Sequence, residues 1–412
     1  MITGPLAEVL NMDIKVASRI ERLPPYVLGR LKQMIYDRRK AGADVIDMNM
    51  GNPTDAPPDP VVEKIRESVL DPRNSRYSVS AGVYNLRREM AIKYERKFGV
   101  ELDPNTEVIA TIGSKEGFSH MCLALLGPGD TAVVADPAFQ IHTYAVILAG
   151  ASTVSVPLGN DDSFLDRIDH TLDTLQPKPK CIILCYPHNP TAITVEAEFF
   201  ERVVAIADKH QVMVMHDFAY GETCFDGYQA PSYLAAKGAK DFGVEFTTLS
   251  KPYNMAGWRI GFCCGNSQMV KALATVKGYY DYGIFQAVQI AAIIAMREGD
   301  SHIEEQAKKY AYRREVLVAG LRKLGWEVDS PRASMFLWAK VNPKHLEPFN
   351  GSVNDFCLAM VEQADVALTP GAAFGARGEG YVRLALVENE QRIRQALRQL
   401  GKALQLSETA VG

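Results

Sequence analysis

Between residues 106 and 250 the chain repeats one rhythm, a short apolar run followed by a longer segment with helical periodicity. The runs are TEVIATIG, DTAVVADP, CIILCYP, QVMVMHD and EFTTLS, and the segments between them include SKEGFSHMCLALL, FQIHTYAVILAG and VEAEFFERVVAIADKH. The runs are rich in Val and Ile and apolar on both faces, as strands of a parallel sheet covered by helices on each side should be. The rhythm predicts an α/β fold. From about residue 301 it changes. A charged amphipathic helix, HIEEQAKKYAYRREVLVAGLRKLG, precedes strand candidates WEVDS, SMFLWAKV, DVALTPG and YVRLALV, and a second amphipathic helix, NEQRIRQALRQLGKALQL, follows. This mixture predicts a smaller α+β domain. The first 50 residues fit neither pattern and read as an arm and part of that smaller domain. The expected division is therefore 1–50, 51–300 for the large domain, and 301–412 for the C-terminal part of the small one.

Composition narrows the classes. With 412 residues, 47% hydrophobic and 23% charged, the chain is long enough for two or three domains with sizeable cores. A net charge of −4 supplies no basic excess to follow a phosphate backbone, so no nucleic-acid partner is expected. The seven cysteines are odd in number, lack the spacing of a zinc cage and sit mostly inside apolar runs such as CIILCY and RIGFCCG. They read as small core hydrophobes in a reducing compartment, with no metal and no disulfide. The N-terminal segment has charges throughout and no apolar h-region, and no run approaches the ~18 apolar residues of a membrane span. A cytoplasmic location without membrane partners is expected.

In an open α/β sheet, ligands bind at the carboxyl ends of the strands. Those ends present Gly113-Ser114-Lys115 after VIATIG, Asn189 after CIILCYP, Asp217 and Tyr220 after VMVMH, and Lys251 after FTTLS. Asn189 and Asp217 are 28 residues apart, and Asp217 and Lys251 are 34 apart. Both steps are near the ~30 residues of one strand–helix–strand unit, so these side chains can share one rim. Each has a dull explanation taken singly: a turn at HNPT, a helix cap at Asp217, a solvated amine at Lys251. Together they have one chemical logic. A lysine amine forms Schiff bases with carbonyls. An aspartate can hold a pyridine nitrogen protonated. A Gly-Ser pair opening a helix binds phosphate, and Arg259 can add a bidentate grip. Asn189 and Tyr220 can hydrogen-bond a ring oxygen, and Phe139 offers a face for a flat ring. A molecule with phosphate, aldehyde, pyridine and hydroxyl groups is pyridoxal 5′-phosphate.

The motifs MNMGNPT (48–54), RYSVSAGVYNLR (76–87), TIGSKEGF (111–118), DPAFQIHTYAVILAGA (136–151), CYPHNPT (185–191), HDFAY (216–220), TLSKPYNMAGWRIGF (248–262) and YVRLALVENEQRIRQA (381–396) run in order along nearly the whole chain. In this the chain resembles the fold-type I, class I/II PLP-dependent aminotransferases, nearest the bacterial alanine (glutamate–pyruvate), aspartate and LL-diaminopimelate subgroup. The resemblance implies that Lys251 carries the cofactor, that Asp217 pairs with its ring nitrogen, and that Asn189 and Tyr220 contact its ring oxygen. It places Gly113, Ser114, Lys115, Thr248, Ser250 and Arg259 around the phosphate and Phe139 on the ring. Phe stands at 139 and Thr at 248 where the family commonly has Tyr and Ser; the first loses a hydroxyl and the second keeps one. Arg383 and the backbone of Gly51 would bind the substrate α-carboxylate. Tyr77 resembles a residue that reaches the neighbouring subunit's cofactor, which implies a homodimer.

On substrate the sequence says less. The segment VKGYYDYGIFQAVQ has Lys277 but no arginine for a distal carboxylate. Lys115 is a candidate for that group, Tyr26 resembles a channel-lining tyrosine, and Gln286 is a further candidate near the pocket. The reading expected is ping-pong transamination between glutamate and pyruvate, with aspartate, LL-diaminopimelate and a PLP-dependent β-lyase open. A PLP-sensing regulator would need a DNA-binding module before MGNPT, and a nicotinamide dehydrogenase would need a G-x-G-x-x-G after a strand, which the chain lacks.

Overall fold

The computed structural model describes residues 15–24, 27–159 and 162–410. Its centre is a sheet of β1 (Val108–Thr111), β2 (Thr131–Asp136), β3 (Ser152–Pro157), β4 (Cys181–Cys185), β5 (Met213–Asp217), β6 (Gly243–Thr248) and β7 (Gly261–Gly265). The spatial order is β1-β7-β6-β5-β4-β2-β3. All neighbours are parallel except β7, which runs antiparallel to both β1 and β6. Reversing one strand between two parallel ones leaves the carboxyl ends of β1, β4, β5 and β6 on the same edge.

Burial on both faces explains the unalternating runs. Ile182 and Leu184 of β4 enter one core with Val214 and Phe262, while Cys181 and Ile183 enter the opposite core with Met215, Phe246 and Cys263. Five of the seven strands coincide with the apolar runs. The edge strand β3 (STVSVP) does not, because half of it faces solvent and carries Ser and Thr there. The reversed strand β7 (GFCCG) lies within the apolar run RIGFCCG but outside the alternating rhythm.

The second core is built from helix, sheet and the chain's early residues. Four antiparallel strands, β8 (Glu327–Val328), β9 (Phe336–Lys340), β10 (Thr369–Pro370) and β11 (Tyr381–Ala385), lie in the order β10-β11-β9-β8. Ile46 and Met48 pack into this core with Leu317, Phe336, Met360 and Leu384. Ile46–Asp47 also pairs in parallel with Val366–Ala367. Helix α1 (Val27–Lys40) seats Leu31 and Ile35 against Val45, Val361 and Ala367. The early chain thus rides on the C-terminal core.

One buried acid ties the main sheet to its surroundings. Glu245 of β6 is fully buried and accepts hydrogen bonds from the Tyr94 and Ser232 hydroxyls and the Tyr233 N–H, each at 2.8 Å. His216 Nδ1, on the adjacent β5, lies 2.8 Å from Oε2, the oxygen that also accepts the Tyr233 N–H. Removing one partner from such a buried cluster leaves the rest unsatisfied. We therefore predict that Glu245→Ala lowers unfolding free energy by about 3–5 kcal/mol in urea titration; a loss below about 1 kcal/mol would mean the cluster is dispensable.

Candidate functional site

At the shared strand edge lies a cavity of about 430 Å³. Its lining includes Gly51, Ser114, Lys115, Phe139, Asn189, Asp217, Tyr220, Thr248, Ser250, Lys251, Arg259 and Arg383. The sequence-predicted rim is therefore one place. Two candidates stand elsewhere: Tyr77 is 85% exposed and packs at a tilt of 40° against Tyr282 with ring centroids 4.8 Å apart, and Gln286 donates to Asn74 at 2.9 Å. Neither lines this cavity. Tyr26 lies outside the described residues.

The anion-binding end is built by backbone. Helix α2 (Ser114–Leu125) begins after Gly113, whose φ of +79° suits glycine. A Cβ there would strike the Arg259 guanidinium, and one on Gly261 would strike the Ser114 N–H. Both glycines let β7, Arg259 and the α2 N-terminus close together, so N–H groups and a guanidinium converge on one spot. Ser250 adds a hydroxyl. Thr248 behaves differently from expectation: its Oγ1 lies 2.9 Å from the Ile260 carbonyl oxygen, 2.9 Å from Ser250 Oγ and 3.1 Å from the Ser250 N–H. A carbonyl only accepts, so the Thr248 proton points to Ile260 and its oxygen fixes Ser250 in place.

At the centre, Lys251 Nζ donates to the Gly51 carbonyl. Burial, followed by the charges of Arg383 and Arg259, pulls its pKa down to about 8, with Asp217 opposing. Asp217 closes β5, and its Oδ2 lies 3.0 Å from His142 Nε2. His142 sits in helix α3 (Gln140–Leu148), three residues after Phe139, with the two rings edge to face at 5.8 Å. The Tyr220 hydroxyl is buried and its pKa rises for that reason.

The far wall holds Arg383 of β11. Its Nη1 donates to Asn189 Oδ1 at 2.7 Å and its Nη2 to the Asn49 carbonyl at 2.9 Å. The guanidinium lies 4.0 Å from the Phe336 ring centroid and 4.7 Å from that of Phe374. Burial lowers its pKa to about 10. Its Nε is buried with no partner. Five donors, two of them used, make a carboxylate receptor.

Sequence reasoning passed over several of these residues. His142 was readable only as the same helical face as Phe139. Asn49, pinned by the Thr369 hydroxyl at 2.7 Å, acts through its carbonyl, which no side-chain motif announces. Lys32, on α1, also lines the cavity. Lys277 is fully buried, 3.1 Å from Glu116 and 2.9 Å from Asp281, and so is committed away from substrate. Among the described residues, the charged lining is five cations (Lys32, Lys115, Lys251, Arg259, Arg383) against one carboxylate, Asp217.

Residues 43–400 match the profile of the family aminotransferase class I and II. The chain is 46% identical over 383 residues to the glutamate-pyruvate aminotransferase AlaC of Escherichia coli, covering 92% of each chain. It is 40% identical to an LL-diaminopimelate aminotransferase of Halothermothrix orenii, covering 93% of this chain and 97% of that one. A solved aminotransferase structure from Staphylococcus aureus superposes with a TM-score of 0.82 at 27% identity, covering 95% of this chain and all of that one.

The depressed Lys251 has a measurable consequence. Its neutral, nucleophilic form gains population as pH rises through about 8, whereas exposed lysines do so near ~10.4. Labelling of cofactor-free protein by a small aldehyde with cyanoborohydride, read by peptide mass mapping, should show Lys251 half-maximal about two pH units below the other lysines. Titration together with them would contradict this site geometry.

Proposed function

Because the chain belongs to the class I and II aminotransferases, whose cofactor is pyridoxal 5′-phosphate, we propose that it exchanges an amino group between L-glutamate and pyruvate in a ping-pong cycle. The observation that carries this reading is the excess of cationic side chains over carboxylates, five to one, among the described residues of the cavity lining. A phosphate of about −2, an α-carboxylate and a second carboxylate are the anions such a lining would receive. LL-diaminopimelate, the substrate named for other relatives, ends in an ammonium as well as a carboxylate. Among the described lining residues only Asp217 could face that ammonium, and Asp217 is engaged with His142.

The donor set fits the cofactor. Ser114 and Lys115 through their N–H groups, with Ser250 and Arg259, would hold the phosphate, with Gly113 giving the close approach and Thr248 orienting Ser250. Asn189 and Tyr220 would contact the ring oxygen, Phe139 the ring face, and Asp217 the ring nitrogen. When bound, pyridoxal 5′-phosphate supplies an aldehyde for the substrate amine and a conjugated ring that accepts electrons as the Cα–H bond breaks. Arg383, with Asn189 and the Gly51 backbone beside it, orients the substrate by its α-carboxylate. Lys251, neutral in a substantial fraction near pH 8, takes the Cα proton and later returns a proton as its conjugate acid. Asp217, braced by His142, would hold a proton on the ring nitrogen.

Assembly and location complete the proposal. Tyr279 at 91% exposure, with Tyr77, Tyr280 and Tyr282 also exposed, forms an aromatic face typical of a covered interface. This supports a homodimer in which Tyr77 reaches the phosphate of the neighbouring site. The second core and its arm support a large domain over 51–300 and a small one from 1–50 and 301–412. No helix among the described residues is long and apolar enough to cross a membrane, and the seven cysteines are unpaired, which supports a cytoplasmic location.

Two outcomes are expected. Glutamate alone and alanine alone should each convert the visible absorption of the cofactor-loaded protein, each yielding its oxo acid, while cystathionine releases no pyruvate; pyruvate release would favour a β-lyase instead. Lys251→Ala should lower turnover by at least about 10²–10⁴-fold, and wild-type rates in that variant would overturn the assignment of Lys251.

A further inference from the structure

Lys93 is 4% exposed, does not line the cavity and has no part in the chemistry above. A buried ammonium carries a desolvation cost that an apolar side chain of similar volume would avoid. Its partners show what the charge is used for. Lys93 stands on the helix Tyr84–Phe98, and its Nζ lies 2.6 Å from Glu222 Oε2. The same Nζ donates to the Tyr253 hydroxyl at 2.5 Å and lies 4.5 Å from the centroid of that ring. Lys97, one turn further on, donates to Glu222 Oε1 at 2.6 Å. Burial, the largest single effect, works against the charged Glu222 carboxylate, yet Lys93 and Lys97 hold its pKa below the usual range.

Glu222 and Tyr253 stand in two different turns, and each turn carries a group assigned to the cavity. Glu222 follows Tyr220 by two residues. That turn is closed by the Gly221 N–H donating to the Phe218 carbonyl at 3.1 Å and the Thr223 N–H donating to the Tyr220 carbonyl at 3.0 Å. Tyr253 follows Lys251 by two residues, and its N–H donates to the Leu249 carbonyl at 3.4 Å. Segments closed so tightly on themselves move as units, so fixing Glu222 and Tyr253 fixes Tyr220 and Lys251. The separation is short as well. A small void bordered by Lys93, Glu222 and Pro252 is also bordered by Ala219 and Thr248, both of which line the cavity. Across the cavity side, the Lys251 ammonium lies 6.0 Å from the Tyr220 ring centroid.

We propose that Lys93 is a positioning residue: its buried ammonium, bonded to Glu222 and to Tyr253, ties together the two turns that carry Tyr220 and Lys251 and so sets the separation of phenol and amine. Strand pairing cannot do this, because both groups lie beyond the ends of their strands, β5 at Asp217 and β6 at Thr248. The inference rests on Lys251 as the group that moves the Cα proton. A displaced amine is felt most in that step, which depends on alignment.

Two variants test it. Lys93→Met keeps the chain length and leaves Glu222 paired with Lys97. Lys93→Met combined with Glu222→Gln removes one positive and one negative charge, so the net charge is unaltered. In cofactor-free protein, cyanoborohydride labelling of Lys251 by a small aldehyde should become half-maximal at a pH at least about 0.5 higher in both variants, because an untethered amine gains water. In cofactor-loaded protein, counted by its visible absorption, the limiting rate of the glutamate half-reaction should fall about tenfold. The half-saturating glutamate concentration should stay within about twofold, since Arg383 and Asn189 are untouched. Labelling of Lys251 at the wild-type pH in the double variant overturns the proposal, as does a limiting rate within about threefold of wild type. Wild-type protein that leaves glutamate unreacted overturns the transamination reading instead. The labelling measurement needs neither cofactor nor substrate and still decides the role of Lys93.

Discussion

Five cations and one carboxylate, among the described residues around a single cavity, make an arrangement that low-dielectric surroundings oppose. The strain shows in the cations themselves: burial and mutual repulsion bring Lys251 to about 8, and burial brings Arg383 to about 10. The rest of the site is arranged to tolerate this charge until anions arrive. Phe336 and Phe374 replace water on the two sides of Arg383 with ring faces, which attract a guanidinium. Carbonyl oxygens at Gly51 and Asn49 receive donors from Lys251 and Arg383. Cofactor and substrate then bring the missing negative charge.

Such a concentration of charge needs a rigid frame, and the main sheet provides it. Asp217 and Lys251 follow adjacent strands whose residues are buried on both faces, so neither strand end can shift without disturbing two cores. The Glu245 cluster bonds β6 to β5 through His216, the residue next to Asp217. Acid and amine are therefore held at a fixed separation by groups that never touch a ligand.

How much of this could be read in advance follows from which interactions are local. Asn189, Asp217, Tyr220 and Lys251 were legible because each follows a buried strand, and a parallel sheet brings such ends together. The Gly113-Ser114 helix start was legible from its own residues. The reversal of β7 was not, since an apolar run carries no direction, and β3 was missed because an edge strand lacks two-sided burial. His142 and Asn49 act on neighbours far away in sequence, one through a helix face and the other through a backbone carbonyl. Lys32 depends on how α1 seats against Val361 and Ala367, a contact across more than 300 residues that no local pattern encodes. Thr248 shows the opposite limit: its hydroxyl was foreseen, but its bond to Ile260 turns it inward as a brace.

The seating of α1 has a consequence for how such an enzyme diversifies. The groups assigned to the cofactor hang from the main sheet, whereas Leu28 and Lys32 belong to a helix anchored by Leu31 and Ile35 on the other core. Residues on the cavity face of that helix can be exchanged while its anchoring face, one step round the same cylinder, stays fixed. The side chains that this helix presents to the cavity can then vary while the groups carried by the main sheet stay in place.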